Sequence, residues 1–147
     1  LLASSYEKTG NKAQALKLYE EVLQKNPDHQ IVTNNLASLL IDDFESEENI
    51  KRAVKLSERF ADSDNPYFVD TYAWALIKAG LPEVAEPLLQ TVTKVAPSVA
   101  IFHYHRGIGY VRSGKLEEAK LALLAAREQA GADDGLQSSI TDALADL

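Results

Sequence analysis

The sequence predicts an all-α protein built as a stack of similar helix-turn-helix units. Amphipathic helical segments meet at glycines, and the residues that punctuate them recur at a fixed spacing. Gly80 recurs as Gly114, and Ala85 recurs as Ala119 at the same interval. The period is roughly 34 residues, a length typical of solenoids, in which each unit buries its apolar face against its neighbours.

The first unit contains the end of one helix and a complete second helix. Gly10 is suited to the positive φ that ends a helix. Lys12 to Lys25 is predicted to be helical because its apolar residues fall on one face, namely Ala15, Leu16, Tyr19, Val22 and Leu23. Pro27 ends this helix, since a residue before proline is displaced from the α region. Asp28 is expected to cap the next helix.

The second unit departs from the regular spacing. Ala53 lies four positions later than the period places it after Ala15, and two positions too close to Ala85. Four residues are therefore inserted before Ala53, and two are lost after it. The insertion is expected in the acidic segment IDDFESEEN, between the two helices, where a solenoid tolerates extra length. A helix is predicted to follow over residues 50–60.

In the third unit, proline residues mark where both helices begin. Asn65 is expected to cap the first helix, with Pro66 at its first position, and Pro82 opens the second. Pro87 lies within that second helix, where we expect a slight bend without a break.

The last unit is followed by one more helix. Ser98 is expected to cap a helix that runs to Ser113, before a second helix over 115–130. An apolar pattern over residues 136–147 then predicts a further helix that covers the open end of the stack.

The pattern of small and bulky residues resembles the tetratricopeptide repeat. That family has a small residue and a bulky residue in the first helix, glycine at the turn, alanine early in the second helix and proline at its end. The third unit matches with Tyr72, Ala73, Leu76, Gly80, Ala85, Leu89 and Pro97, and the first with Leu2, Ala3, Tyr6, Gly10, Ala15, Tyr19 and Pro27. The resemblance implies a right-handed α-solenoid of about three and a half tetratricopeptide repeats plus a C-terminal capping helix.

The resemblance also implies the domain organisation. We expect a single domain over 1–147 with a partial repeat over 1–29, repeats over 30–65, 66–99 and 100–131, and a capping helix over 135–147. The chain contains no methionine and begins inside a helix. It is therefore interpreted as a fragment of a larger bacterial tetratricopeptide repeat protein.

Composition argues against several classes of partner. The formal net charge of -7 argues against binding to nucleic acid or to anionic membranes. There is no cysteine, so disulfides and thiolate chemistry are excluded. No apolar run reaches the roughly 20 residues that a membrane-spanning helix needs.

The resemblance implies that the first helix of each repeat lines a concave groove that holds a peptide or a partner helix. The candidate residues of this groove are Asn34, Tyr67, Asp70, Trp74, Ile77, Lys78, Tyr104, Ile108 and Arg112. Their apolar and aromatic character predicts an exposed binding patch, with Lys78 and Arg112 orienting an acidic group. Trp74 has two readings, because it could instead pack between neighbouring helices.

No enzyme chemistry, metal site or cofactor is expected. His103 and His105 are two residues apart and point to different faces of a helix, so a packed or surface role is favoured. The acidic segment lacks the alternating ligands and glycine of a calcium loop, which favours a solvated insertion. Gly107 and Gly109 lack the remainder of a dinucleotide-binding fingerprint.

Protein or peptide binding is therefore the predicted function, and two alternatives remain. The chain could be a structural or self-associating region of a bacterial cell-envelope or exopolysaccharide-export protein, with a second copy packed on the edge around Leu1, Leu2 and Tyr6. It could also be a regulatory arm of an enzyme whose catalytic domain lies elsewhere in the chain. The compartment is not indicated by the sequence.

Overall fold

A computed structural model describes residues 2–147, which form nine α-helices and one 3-10 turn and confirm the all-α repeat solenoid. Leu1, predicted to lie in the first helix and at the N-terminal edge, is outside the described residues. The helices are α1 Leu2–Lys8, α2 Lys12–Lys25, α3 Gln30–Asp42, α4 Glu47–Ser57, α5 Pro66–Lys78, α6 Pro82–Val95, α7 Ala100–Arg112, α8 Leu116–Gln129 and α9 Asp134–Ala145, and the 3-10 turn Glu58–Phe60 follows α4.

The helices pack as antiparallel pairs that stack along the chain. Each helix contacts the next one, and α3, α5, α7 and α9 also contact each other in succession. One fully buried alanine anchors the second helix of each pair: Ala15, Ala53, Ala85 and Ala119. Their small side chains allow the paired helices to approach closely, so the core continues from one pair to the next.

Three of the four turns within the pairs are made by glycines at positive φ. Gly10 and Gly80 have φ of 83°, and Gly114 has φ of 73°. At Gly80 the chain closes a helix C-terminus, because the amide of Leu81 donates to the carbonyl of Leu76 at 2.9 Å. The predicted helix-ending role of these glycines is confirmed.

The insertion in the second unit lies mostly within a helix, which corrects its predicted place in the loop. Ala53 is the seventh residue of α4, whereas Ala15, Ala85 and Ala119 are the fourth residues of their helices. Only one of the four extra residues lengthens the turn, which spans 43–46 in place of three residues elsewhere. The acidic side chains Glu47 and Glu48 suit the first helical turn, so the extra length continues as helix.

Local capping follows the sequence in some places and departs from it in others. Asn65 caps α5 as predicted, its side chain accepting from the amide of Tyr67 at 3.0 Å. The cap of α3 is His29 rather than Asp28, with Nδ1 accepting from the amide of Val32 at 3.4 Å. Val99 rather than Ser98 precedes α7, and no side chain caps that helix.

Two further predictions concern a proline inside one helix and the start of the last helix. Helix α6 is continuous through Pro87, as expected. The last helix begins at Asp134, one residue before the predicted capping helix of 135–147, because Asp133 accepts from the amide of Leu136 at 3.0 Å.

None of the helices that the structure describes has the length and apolar character required to cross a membrane.

Candidate functional site

The candidate residues occupy equivalent positions on three helices that stack side by side. We call the surface they share the A-helix face. It is formed by the second, fifth, ninth, twelfth and thirteenth residues of α3, α5 and α7. On α5 these are Tyr67, Asp70, Trp74, Ile77 and Lys78; on α3 they are Ile31, Asn34, Ser38, Ile41 and Asp42; and on α7 they are Ile101, Tyr104, Ile108, Val111 and Arg112.

The centre of this face is packed rather than open. Trp74 is 7% exposed, Ile77 is 0% exposed and Asp70 is 6% exposed. The expectation that Trp74 and Ile77 belong to an exposed apolar patch is therefore wrong. Side chains from α3 and α7 reach the central part of α5 from both sides, so Asp70, Trp74 and Ile77 are enclosed in the stack.

Trp74 is held by contacts to both neighbouring helices. Its indole stacks on the imidazole of His105, with ring centroids 4.1 Å apart and planes inclined by 12°. Its Nε1 donates to Oδ1 of Asp42 at 3.0 Å. The Nζ atom of Lys78 lies 5.2 Å from the centroid of the indole, within the range of a cation–π contact. These contacts favour the packing role that the sequence left open for Trp74.

Asp70 and His105 form a buried polar pair between α5 and α7. The Nδ1 atom of His105 lies 2.9 Å and 3.0 Å from the two carboxylate oxygens of Asp70, so its N–H donates to that carboxylate. Burial raises the pKa of Asp70 above its ordinary value, and the attraction of His105 only partly opposes this effect. The sequence indicated a packed or surface role for His105, but did not pair it with Asp70.

The histidine two residues earlier is placed differently. His103 is half-buried, and its Nε2 donates to the carbonyl oxygen of Pro97 at 2.7 Å. The two histidines thus make separate contacts, as their spacing predicted.

The two basic candidates already have contacts within the described chain. The Nζ atom of Lys78 lies 3.0 Å from a carboxylate oxygen of Glu45. Nη1 of Arg112 donates to the carbonyl oxygen of Ile77 at 2.8 Å, near the C-terminal end of α5. An acidic group on a ligand would therefore have to compete with these contacts.

The acidic segment is tied to its surroundings rather than free in solvent. Besides Glu45, Asp43 pairs with Lys12 of α2, and Asp42 accepts from Trp74. The segment therefore links three helix pairs. The interpretation of this segment as a solvated insertion did not include these contacts. No signal in the local sequence identifies these pairings, because each partner belongs to a neighbouring repeat.

An apolar row remains accessible at one margin of the A-helix face. It consists of Ile31, Tyr67 and Ile101, each the second residue of its helix. Ile31 is 54% exposed and Tyr67 is 55% exposed, while Ile101 is half-buried. The ring of Tyr67 rests edge-on against Phe102 at a centroid distance of 5.0 Å, so its position is defined by the core.

The fifth residues of α3, α5 and α7 lie next to this row and have polar side chains: Asn34, Asp70 and Tyr104. Asn34 is half-buried, and its Oδ1 is inaccessible to solvent and accepts no hydrogen bond from the residues described. Tyr104 is half-buried against the α8–α9 core, and burial raises the pKa of its hydroxyl. Ile108, one turn further, is half-buried on the core.

Comparison with solved structures shows the same fold in other proteins. The structure titled "MamA AMB-1 P212121" has a TM-score of 0.70 and 21% identity, and the match covers 96% of this chain and 82% of that one. "MamA 41-end from Desulfovibrio magneticus RS-1" has a TM-score of 0.66 and 15% identity, over 99% of this chain and 88% of that one. A third structure is titled "Crystal structure of YrrB: a TPR protein with an unusual peptide-binding site". It has a TM-score of 0.64 and 19% identity, and the match covers 97% of this chain and 73% of that one.

Sequence comparison identifies the family directly. No match was found among curated proteins. Two family models, both described as tetratricopeptide repeat, match residues 1–29 and residues 73–134. Together with the helical repeat architecture, these matches show that the chain belongs to the tetratricopeptide repeat family.

Proposed function

We propose that this protein-interaction scaffold binds an extended peptide or a partner helix along the A-helix face, which corresponds to the concave groove of tetratricopeptide repeats. The observation that carries the proposal is the apolar row. The first helices of three successive pairs, α3, α5 and α7, present a bulky apolar side chain at the same position, and two of these side chains are more than half exposed. A periodic ligand such as a peptide can contact such a row at regular intervals.

The mechanism is equilibrium binding to a preordered surface. The second positions supply apolar contact area, and Tyr67 is already oriented by Phe102. The unsatisfied Oδ1 of Asn34 is enclosed in the free protein, so it would accept an N–H from the ligand only after the side chain turns toward the groove, and that bond would pair a buried acceptor. Because these groups are held by packed helices, little ordering cost falls on the receptor.

The candidate residues divide into two groups by their burial. We assign direct ligand contact to the accessible side chains Asn34, Tyr67, Tyr104, Ile108 and Arg112. We assign a supporting role to the packed side chains Asp70, Trp74 and Ile77, which hold α5 against α3 and α7, and Lys78 joins them through Glu45. We also infer that residues 1–147 act as one domain with the repeat boundaries given above.

Mutation of Tyr67 tests this proposal. A peptide library displayed on phage would be selected against the protein, and the dissociation constants of selected peptides measured by calorimetry. Tyr67→Ala should weaken binding about tenfold, as expected for an exposed aromatic anchor. Its melting temperature should change little, because more than half of the side chain is already in solvent.

Leu121→Ala provides the matched control. Leu121 is 70% exposed on α8, away from the A-helix face, so its loss should leave the dissociation constants unchanged. Equal effects of the two substitutions, or selected peptides that bind Tyr67→Ala as tightly as the unaltered protein, would exclude the apolar row as the binding site.

The family matches do not favour the export-protein or enzyme-arm alternatives.

A further inference from the structure

A second groove lies outside the A-helix face. It has a volume of about 620 Å³ and runs between the segment 61–66, which leads into α5, and the second half of α6. We call it the outer groove. Val69 of α5 and Val92 of α6 form its floor, and Leu88 and Val95 line the α6 side. The A-helix face uses none of these residues.

The outer groove lies where the second repeat departs from the others. In α2, α6 and α8 ten residues follow the anchoring alanine, whereas in α4 the helix continues for only four residues after Ala53 before the 3-10 turn. The chain then crosses to α5 through 61–65. The groove lies beside this shortened end, where two residues are lost from the regular repeat spacing.

The groove combines an apolar interior with a negatively charged rim. Val95 is 67% exposed although it adjoins a packed apolar floor, in which Val92 is 2% exposed and Val69 is 7% exposed. Asp62 and Asp64 stand on the opposite side, are exposed, and form no ion pair with any of residues 2–147. No lysine or arginine lines the groove among the described residues.

The segment that carries the two carboxylates has an ordered backbone. The amide of Ser63 donates to the carbonyl oxygen of Phe60 at 3.1 Å, and the Oγ of Ser63 accepts from the amide of Asn65 at 3.1 Å. Asp62 and Asp64 flank Ser63 directly. Their backbone positions are therefore defined before a ligand arrives, which lowers the ordering cost of binding.

We propose that the outer groove docks a protein segment that presents a branched apolar side chain next to a lysine or arginine. The apolar side chain would cover Val92 and Val95, and the cation would lie between the carboxylates of Asp62 and Asp64. A solvated cation approaching two unpaired carboxylates gains attraction without displacing an existing ion pair. The overall charge of -7 attracts such a segment from a distance. The groove is thus a second interaction surface, independent of the A-helix face.

Titration monitored by methyl NMR tests the proposal. The probe is a capped pentapeptide of alternating lysine and leucine, and its glutamate–leucine counterpart is the control. The lysine peptide should shift the methyl signals of Val69, Leu88, Val92 and Val95, and the control peptide should shift none of them. Asp62→Asn combined with Asp64→Asn should weaken binding about tenfold at low salt, with a smaller effect at high salt.

Two variants separate site-specific binding from general attraction. Glu21→Gln with Glu128→Gln changes the net charge by the same amount as the double aspartate variant, but at exposed positions of α2 and α8. This variant should weaken binding less than about twofold. Val95→Ser should weaken binding at high and low salt alike, because it removes apolar contact. The proposal is overturned if the two charge variants have equal effects, if the shifts centre on other residues, or if millimolar lysine peptide causes no shift.

Discussion

At the scale of single residues, Trp74 shows how the stack determines the environment of a side chain. Its indole contacts an imidazole from α7, a carboxylate from α3 and an ammonium group from its own helix. The imidazole and the ammonium group contact the π system of the ring, and the carboxylate accepts from its N–H. Truncation of Trp74 would therefore disturb the packing of three helices, and it cannot serve as a clean test of ligand binding.

Iodide quenching of tryptophan fluorescence measures this enclosure directly, because Trp74 is the only tryptophan. We expect a quenching constant far below that of free N-acetyltryptophanamide, since the side chain is 7% exposed. Unfolding in urea should restore strong quenching. A folded protein that is quenched as strongly as the free compound would contradict the packed position of the ring.

The buried Asp70 predicts a pH dependence of stability. Its pKa is raised by burial in the folded protein, so the folded state holds a proton on Asp70 at pH values where the unfolded state has lost it. The free energy of unfolding contributed by this group therefore falls as pH rises from the unfolded pKa to the raised folded pKa. The same contribution is fully present below both values.

Asp70→Asn removes this contribution and retains a side chain able to contact His105. Urea denaturation at a series of pH values above the ordinary pKa of an aspartate should show that the stability of the unaltered protein, relative to the variant, decreases as pH increases. A relative stability that rises with pH would mean that attraction to His105 outweighs burial, and the direction stated for Asp70 would be wrong.

At the scale of helices, the contact between α7 and α8 depends on the absence of a side chain. A Cβ added at Gly107 would lie 2.7 Å from Cγ and 2.8 Å from Cδ2 of Leu123, which is fully buried. Gly107 has ordinary helical φ, so its role here is close approach rather than backbone freedom. Leu123 cannot withdraw easily, because it also packs on Ala126 and Ile140.

A double-mutant cycle tests this contact. Gly107→Ala should lower the free energy of unfolding by about 1–3 kcal/mol through overpacking. Combined with Leu123→Ala, which leaves room for the added methyl group, it should cost clearly less than the sum of the two single changes. Urea denaturation of the four proteins gives the coupling. Additive effects would show that the added methyl group is accommodated elsewhere.

At the scale of the whole molecule, contacts are restricted to near neighbours along the stack. Helix α1 contacts α2, and α9 contacts α8 and α7, whereas α5 contacts helices on both sides. Stability in such an array is approximately a sum of repeat and interface contributions. Among the described helices, α1 and α9 have contacts on one side only, so in the protein of 147 residues they should open more readily than α5.

Hydrogen exchange measured by mass spectrometry should reveal this gradient. Amides of α1 and α9 are expected to exchange fastest, and those of α5 slowest. Ile140→Ala should accelerate exchange in α9 and α8 through loss of a fully buried side chain, and should leave α3 unchanged. Uniform exchange in all helices, or acceleration of α3 by Ile140→Ala, would indicate global cooperative unfolding instead.

The sequence by itself determined the all-α class, the pairing of helices and the glycine turns. These features depend on rules that act within one repeat. Gly80 ends a helix because its φ is positive, and Ala85 recurs because only a small side chain fits between paired helices. Asn65 and Pro66 marked a helix start for the same local reason.

Only the tertiary structure decided which side chains of the A-helix face are accessible. Trp74 and Tyr67 lie on the same helix at positions that the family pattern assigns to the groove, yet one is 7% exposed and the other 55% exposed. The difference arises from His105 and Asp42, which belong to the repeats on either side and reach Trp74 only after those repeats stack. The exposure of a side chain depends on which side chains of the neighbouring repeats cover it. The periodicity of a single helix carries no information about those neighbours.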